Sequence, residues 1–150
     1  MALLRETSAG YMTNLAGRLF LRELERQLAP IGLTPAHMPV LLALEKGEAL
    51  TQKTLAERAR VEQPTMAATL NRMERDGLVE RRVNPWDGRS MLVQLTPLAR
   101  EKLPSVERAA TALNTLVLDQ LLPDERVQYF ALLRKVISVL EAQEEKAPWP

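Results

Sequence analysis

The sequence contains no cysteine and only one histidine, His37. Without a thiol the chain can form no disulfide bond, no thiolate zinc site and no cysteine-based redox switch. A single histidine gives no metal-ligand spacing, and neither a Ser-His-Asp arrangement nor a glycine-rich phosphate loop is present. We therefore expect a protein that is not an enzyme and that carries no cofactor and no metal.

Long apolar runs are missing too, since no stretch approaches the length that a membrane-spanning helix needs. The N-terminal segment MALLRETSAG is too short and too charged for a secretory signal peptide. The sequence therefore predicts a cytoplasmic protein without a membrane partner.

Aromatic residues are scarce as well, at 4% of the chain against 46% for all apolar residues. The core must therefore be built mainly from Leu, Val, Ala and Met. Charges nearly cancel, with 20 basic and 19 acidic residues. Residues 51–96 hold eight basic and six acidic residues, an excess of two positive charges. This excess is too small to indicate nucleic-acid binding by itself.

Hydrophobic spacing of three and four residues predicts helices in the first half of the chain. They are expected over 7–29, from Thr34-Pro35 to Lys46-Gly47, from Gln52 to Arg58, and over 62–76. The first of these helices has an apolar face broader than a lone surface helix needs. This breadth indicates burial on more than one side.

Two strands and two further helices are predicted in the second half. The strands are Leu78–Val83 and Met91–Leu95, on either side of the turn-rich loop 84–90. A helix is then expected from Thr96-Pro97 to about Leu121, with Pro104 inside it. Pro104 should either kink or break that helix. The last helix should begin at Pro123.

The predicted order is four helices, two strands and two helices, which is mainly α, or α+β by strict count. A short third helix followed by a fourth can place the start of the latter in a major groove, as in a helix-turn-helix. The outward positions of helix 62–76 are predicted to be Gln63, Thr65, Ala68, Thr69 and Arg72. Gln and Arg are residue types that read adenine and guanine edges. An ordinary solvated helix face explains this pattern at least as well when the helix is taken alone.

The strand pair and its loop predict a projecting hairpin, or wing. Arg81 and Arg82 lie on its first strand, and Arg89 lies at its tip, where arginine suits a narrow minor groove. Asp87 is expected to orient the Arg89 guanidinium through a bidentate pair. A polar turn with a local ion pair is the plain alternative. Trp86 should either stack on a sugar or pack beneath the hairpin, and packing is the more common fate of a tryptophan.

Four segments of the chain resemble the MarR-type transcriptional regulators. Residues 51–58 resemble the second helix of their reading head, and 63–79 their recognition helix and the entry to the wing. Residues 84–90 resemble their Asp-x-Arg wing tip, and 95–100 the junction to the following helix. The resemblance spans nearly the whole chain and agrees with the predicted order of elements.

The resemblance implies a single unit over 1–150, with a winged helix-turn-helix and two-stranded wing at 34–96. Residues 1–33 and 97–150 would form a helical dimerisation region. Such a homodimer would bind a pseudo-palindromic operator in double-stranded DNA and repress nearby genes. Thr51, Gln52, Arg82 and Ser90 would lie near phosphates. Together, the expected DNA contacts are Thr51, Gln52, Gln63, Pro64, Thr65, Ala68, Thr69, Arg72, Arg82, Asp87, Arg89 and Ser90.

The resemblance also implies a small phenolic or aromatic effector that releases the regulator from DNA. Candidates to line its site are found on the first two helices: Tyr11, Leu15, Arg18, His37, Met38 and Leu41. Plain core packing is the simpler interpretation of each of these residues. A competing function is a winged-helix protein that acts mainly through protein contacts, as an antirepressor or decoy, without binding an operator.

Overall fold

The computed structural model describes residues 5–146. The helices are α1 (Ala9–Leu28), α2 (Met38–Leu44), α3 (Gln52–Ala59), α4 (Gln63–Arg75), α5 (Pro97–Leu118) and α6 (Pro123–Lys146). The strands are β1 (Leu50–Thr51), β2 (Val79–Asn84) and β3 (Asp87–Leu95). Two compact units divide the chain, one up to Thr111 and one from Ala112 onward.

The first helix is shorter than predicted at both ends because its termini are capped. The Ser8 side chain accepts a hydrogen bond from the Tyr11 backbone N–H at 3.2 Å, which satisfies one of the free donors of the first turn. At the other end the chain tightens into a 3-10 turn over Ala29–Ile31 and then reverses at Gly32, whose φ of 73° suits glycine.

The predicted second helix is divided into a 3-10 turn, Pro35–His37, and α2. Thr34 and His37 form a reciprocal cap, in which the Thr34 backbone N–H donates to His37 Nδ1 at 3.2 Å. This buried histidine therefore completes the start of the helix rather than lining an open surface.

The helix pair α3 and α4 agrees closely with the predicted boundaries. Thr51 caps α3, since its hydroxyl accepts from the Thr54 backbone N–H at 3.2 Å. Arg60 ends α3 in the left-handed conformation, with a φ of 53°. Pro64 lies in the first turn of α4, where its missing N–H costs nothing.

The sheet has three antiparallel strands in the order β1-β3-β2. Its first strand, β1, was not predicted, because two residues are too few to show a period. Leu50 pairs with Val93 and Thr51 with Leu92. The two residues that lead into α3 are therefore hydrogen-bonded to β3, the second strand of the wing.

The core of the first unit is aliphatic, as the composition predicted. It joins helices and sheet through residues that are fully or almost fully buried: Leu28, Leu41, Leu44, Leu55, Met66, Leu70, Met73, Val79, Val93 and Leu95. Buried aliphatic contacts of this kind supply the dominant favourable term in folding. They fix α4 and the wing on one scaffold.

Pro104 does not break α5, which runs as one helix through the proline. The start of α5 is the predicted cap, because Thr96 Oγ1 accepts from the Ala99 N–H at 3.2 Å and donates to the Gly77 carbonyl at 2.6 Å. The helix ends at Leu118, three residues before the predicted end.

No single helix within residues 5–146 has the length and apolar character required to cross a membrane. The two segments Ala9–Ile31 and Pro35–Leu44, bent by 90°, meet that requirement only when taken together, by length and composition alone.

Candidate nucleic-acid interface

Helix α4 presents most of the predicted base-reading side chains to solvent. Gln63, Pro64, Thr65, Ala68 and Arg72 are all exposed. None of these side chains contributes to the buried core of the first unit. This face is thus available to a groove of DNA.

The prediction is wrong for Thr69, which is only 5% exposed. Met66, Thr69, Leu70 and Met73 fall at the i, i+3, i+4 and i+7 positions that form the inner stripe of a helix. The Thr69 hydroxyl receives a long hydrogen bond of 3.5 Å from the Arg72 guanidinium. Thr69 is therefore a buried hydrogen-bond acceptor for Arg72 and not an exposed side chain.

The wing tip is a tight turn stabilised by its own side chains. Asn84 accepts from the Trp86 N–H at 3.1 Å through Oδ1 and donates to Ser90 Oγ at 3.0 Å through Nδ2. The Ser90 hydroxyl donates in turn to the Asp87 carbonyl at 3.3 Å. These bonds fix the tip backbone from both strands.

The pairing of β2 and β3 is irregular at the same place. Val83 pairs with Met91 but Asn84 pairs with Asp87, so Gly88, Arg89 and Ser90 have no register partner on β2. Bulges of this kind commonly redirect a side chain next to a functional site. Here the bulge contains Arg89, which is exposed.

Asp87 positions Arg89 differently from the prediction. Its Oδ1 accepts from the Arg89 backbone N–H at 3.1 Å, the bond that a short Asp side chain makes two residues ahead in a turn. Within the described part of the chain no hydrogen bond or ion pair engages the Arg89 guanidinium. The predicted bidentate pair is therefore absent, and the cationic end of Arg89 is available to a partner.

The prediction that Trp86 packs beneath the hairpin is wrong. Its side chain is 86% exposed, the largest exposed fraction among the large apolar residues in the described part of the chain. The tip turn is too short to fold the indole back over the strands, since only Pro85 and Trp86 separate β2 from β3.

Three of the four residues predicted to lie near phosphates, Thr51, Gln52 and Ser90, line an open cavity between α3 and the wing. This cavity has a volume of about 450 Å³, and Thr51, Gln52, Asp87 and Ser90 are among its lining residues. The Thr51 hydroxyl is already engaged in capping α3, where it also lies 3.0 Å from Thr54 Oγ1. Arg82 is exposed on β2.

Sequence reasoning missed the structural role of Arg81. Its guanidinium forms a short ion pair with Glu74 on α4 and donates to Asn71 Oδ1 at 3.1 Å. The Arg81 side chain is only 19% exposed, so the pair is partly shielded from water. Arg81 thereby connects the wing to α4. The available signal was the alternation along β2, which places Arg81 and Arg82 on opposite faces of the strand.

The end of α4 carries a further electrostatic contact. Asp76 is hydrogen-bonded by Arg75 at 3.0 Å, and this bond lowers the pKa of the Asp76 carboxyl. Burial lowers the pKa of His37, while Asp76 opposes that shift. The neutral imidazole is the form that can accept the Thr34 N–H at Nδ1, so the buried His37 fits an uncharged state.

Comparison with known proteins agrees with this geometry. The sequence profile of the MarR family matches residues 31–90. The HTH-type transcriptional regulator YwoH of Bacillus subtilis is 34% identical over 96 residues, which cover 64% of this chain and 69% of YwoH. The chain belongs to the MarR family. It is a winged-helix transcriptional regulator of that family, as the resemblance predicted.

Solved structures with MarR-family folds align with nearly the full chain. The transcriptional repressor CouR, bound to a 23-mer DNA duplex, is 27% identical with a TM-score of 0.79, covering 88% of this chain and 94% of CouR. PcaV from Streptomyces coelicolor, in complex with its natural ligand, is 27% identical with a TM-score of 0.77, covering 92% of this chain and 97% of PcaV. The predicted fold class is therefore confirmed.

The candidate effector residues of this MarR-family chain are not all placed where a ligand could reach them. The prediction is wrong for Leu41, which is 1% exposed and packs in the core. His37 is buried and hydrogen-bonded to the backbone. Tyr11 and Arg18 are exposed on α1, and Leu15 is half-buried there. Met38 lines an open cavity of about 430 Å³ with residues of α2 and α3.

Proposed function

We propose that this MarR-family regulator binds a pseudo-palindromic operator as a homodimer and represses nearby genes. The observation that carries the proposal is that one core holds two exposed candidate DNA-binding surfaces, the outer face of α4 and Arg89 on the wing. Helix-turn-helix dimers place one such reader in each of two successive major grooves. The DNA complex of CouR supports this mode of binding for a chain of the same fold.

Unpartnered apolar surface supports the homodimer. Met12, Leu19 and Leu21 on α1 are each about half exposed, at 46%, 51% and 55%. On α6 the exposed apolar residues are Val127, Phe130, Leu132, Val136, Ile137, Val139 and Leu140. Apolar surface of this extent is unusual on a monomer and is typical of association sites. We infer that a second copy of the chain covers both helices.

Selection of bound duplexes from random DNA tests the operator proposal. The recovered sites should share a motif with two related halves about one helical turn apart. Affinity for that motif should fall steeply as salt rises, because phosphate contacts release counterions. Selection that recovers no common motif, together with equal affinity for all duplexes, would contradict operator binding and favour the antirepressor or decoy alternative.

Two substitutions on α4 test the assignment of base-reading residues. Gln63→Ala and Arg72→Ala should each relax the preference at particular base pairs and cost about 1–3 kcal/mol of binding free energy. Arg108→Ala on α5 is the matched control, since the one hydrogen bond of its guanidinium within residues 5–146 goes to the nearby Ser105, at 2.7 Å. If Arg108→Ala and Arg72→Ala weaken the duplex complex equally, α4 is not the reader.

We further propose that a small phenolic or aromatic effector weakens operator binding. The support is the ligand complex of PcaV, together with exposed Tyr11, Arg18 and half-buried Leu15 on α1. Arg18 would pair with an anionic group of the effector, and Met38 would provide adaptable apolar contact. A tenfold loss of operator affinity requires about 1.4 kcal/mol of differential binding between the two dimer geometries.

Titration of the regulator–duplex complex with benzoate and with phenol tests the effector proposal. Either compound should release the duplex from the wild-type protein, and Arg18→Gln should weaken the response to benzoate more than the response to phenol. Release that is equal in wild type and in Arg18→Gln, Tyr11→Ala and Met38→Ala would place the effector elsewhere.

A further inference from the structure

Trp86 is an exposed aromatic residue that the contacts assigned above do not use. Its side chain is 86% exposed, although aromatic residues make up only 4% of this chain. Indole is the largest apolar side chain, and it usually packs in a core or an interface. An indole exposed to this extent at the end of a projecting hairpin is therefore available to a partner outside the chain.

The backbone that carries Trp86 is hydrogen-bonded to side chains of the tip itself. The Trp86 N–H donates to Asn84 Oδ1, and Asn84 Nδ2 donates to Ser90 Oγ, at 3.1 and 3.0 Å. Pro85 restricts φ immediately before it. Because this backbone is fixed, contact by the indole costs little additional conformational entropy.

The charges around the indole indicate the kind of partner. Arg82, four residues before Trp86 on β2, and Arg89, three residues after it at the tip, are both exposed cations. Asp87 is the acidic residue of the tip, and its Oδ1 accepts from the Arg89 N–H. An exposed indole on the same hairpin as two exposed arginines complements a polyanion that also offers apolar surface. A nucleic-acid backbone is such a partner, since its phosphates alternate with sugar rings.

We propose that Trp86 is a DNA-contacting residue, whose indole packs against deoxyribose in the minor groove beside the position of Arg89. This inference rests on the proposed operator binding and adds a contact to it. The narrow minor groove attracts arginine through its negative potential, and its walls are sugar edges. Proteins that bind this groove frequently place apolar side chains against or between its nucleotides.

The fluorescence of Trp86 tests this contact directly. The chain has one other tryptophan, Trp149, so Trp149→Phe leaves Trp86 as the single indole. The selected duplex should shift its emission to shorter wavelength and protect it from quenching by acrylamide. A labelled duplex reports binding independently by anisotropy. Unchanged emission and quenching while the duplex is bound would overturn the inference and leave operator binding intact.

Substitution at the same position separates contact from folding. Trp86→Ala should weaken the duplex complex about tenfold, because it removes the apolar area that the indole buries on the sugars, and Trp86→Phe should retain most of the affinity. Leu42→Ala, which shortens another exposed apolar side chain, is the matched control. Equal affinity of Trp86→Ala and wild type would overturn the proposal.

Hydroxyl-radical footprinting identifies the sugars involved. Wild type should protect a short set of minor-groove sugars that Trp86→Ala leaves exposed. Netropsin bound beforehand in the minor groove should abolish the fluorescence shift. Protection that is identical in wild type and Trp86→Ala would overturn the sugar contact and leave a protein as the remaining kind of partner for the indole. If no duplex is bound at all, operator binding fails, and the contact fails with it.

Discussion

Arg89 lies at the wing tip because its backbone is held there, while no residue among 5–146 bonds to its guanidinium. Arg89→Ala should therefore weaken duplex binding broadly and reduce the salt dependence by about one counterion, without altering the fold. Arg89→Lys keeps the charge but loses the planar guanidinium, so its duplex affinity should fall between those of wild type and Arg89→Ala. Binding isotherms at several salt concentrations measure both effects. A salt slope unchanged by Arg89→Ala would contradict a DNA contact at this residue.

His37 gives the chain a defined dependence on pH. Burial lowers its pKa in the folded state, so the unfolded chain takes up a proton near pH 6.5 that the folded chain resists. The contribution of His37 to stability is complete above that pH, and it is lost as the pH falls toward the lower pKa of the folded state. His37→Gln retains an acceptor for the Thr34 N–H and removes the titration.

Urea unfolding at pH 7.5 and 5.5 measures this difference. Wild type should lose more unfolding free energy between the two pH values than His37→Gln does. Equal losses in the two proteins would show that His37 titrates alike in the folded and unfolded states.

At the residue scale, the sequence indicated which helix and hairpin carry the candidate site better than it indicated which side chains are exposed there. Gln63 and Arg72 are exposed as the helical period required, but Thr69 falls on the boundary of the inner stripe and is buried. A polar residue at such a boundary is assigned wrongly from polarity alone. For Trp86 the error came from its apolar character, which predicted burial. The indole stays exposed because no other element of the described structure covers it at the tip.

At the scale of elements, Arg81 and Glu74 join β2 to α4, two elements whose relative position matters for reading DNA. We expect Arg81→Met and Glu74→Gln to be coupled by about 0.5–1 kcal/mol of unfolding free energy, as partly exposed ion pairs are. A double-mutant cycle in urea measures this coupling. Arg81→Met should also weaken duplex binding several-fold, because the wing loses a fixed angle to α4.

Arg75→Met with Asp76→Asn supplies a matched cycle on α4 that leaves β2 untouched. If that pair affects duplex binding as strongly as Arg81→Met does, the connection between wing and helix is not the cause.

The boundaries of helices were predictable wherever a side chain caps them. Thr51 and Thr96 accept backbone N–H groups as their sequence context implied. At α6 the sequence offered no Ser, Thr or Asp before Pro123, yet Glu125 accepts from the Leu122 N–H at 2.8 Å. This is the second half of a capping box, which a search for the first residue alone misses. Strand β1 was unpredictable because long-range pairing with β3, rather than local sequence, creates it.

For the whole molecule, the apolar face of α6 leads to a prediction about assembly. Leu140 is 59% exposed, so Leu140→Glu costs little within one chain but would place a charge in the proposed dimer interface. We expect this variant to dissociate at concentrations at which wild type is dimeric, and to lose operator affinity with it. Sedimentation equilibrium measures the assembly state.

Gln128→Glu adds the same charge at another exposed position of α6 and serves as the control. Equal dimer dissociation constants for wild type, Leu140→Glu and Gln128→Glu would show that α6 does not lie in the dimer interface.

The short pairing of β1 with β3 has a mechanical consequence. Leu92 of β3 pairs with Thr51 on one side and with Arg82 on the other, so the start of α3 and the wing share one strand. Arg81 fastens the same hairpin to α4. In the proposed dimer, each subunit would therefore hold α4 and the wing tip at a fixed distance from each other. An operator lengthened by one base pair inside a half-site would then lose one of these two contacts, whereas a change between half-sites would be met only by movement of whole subunits.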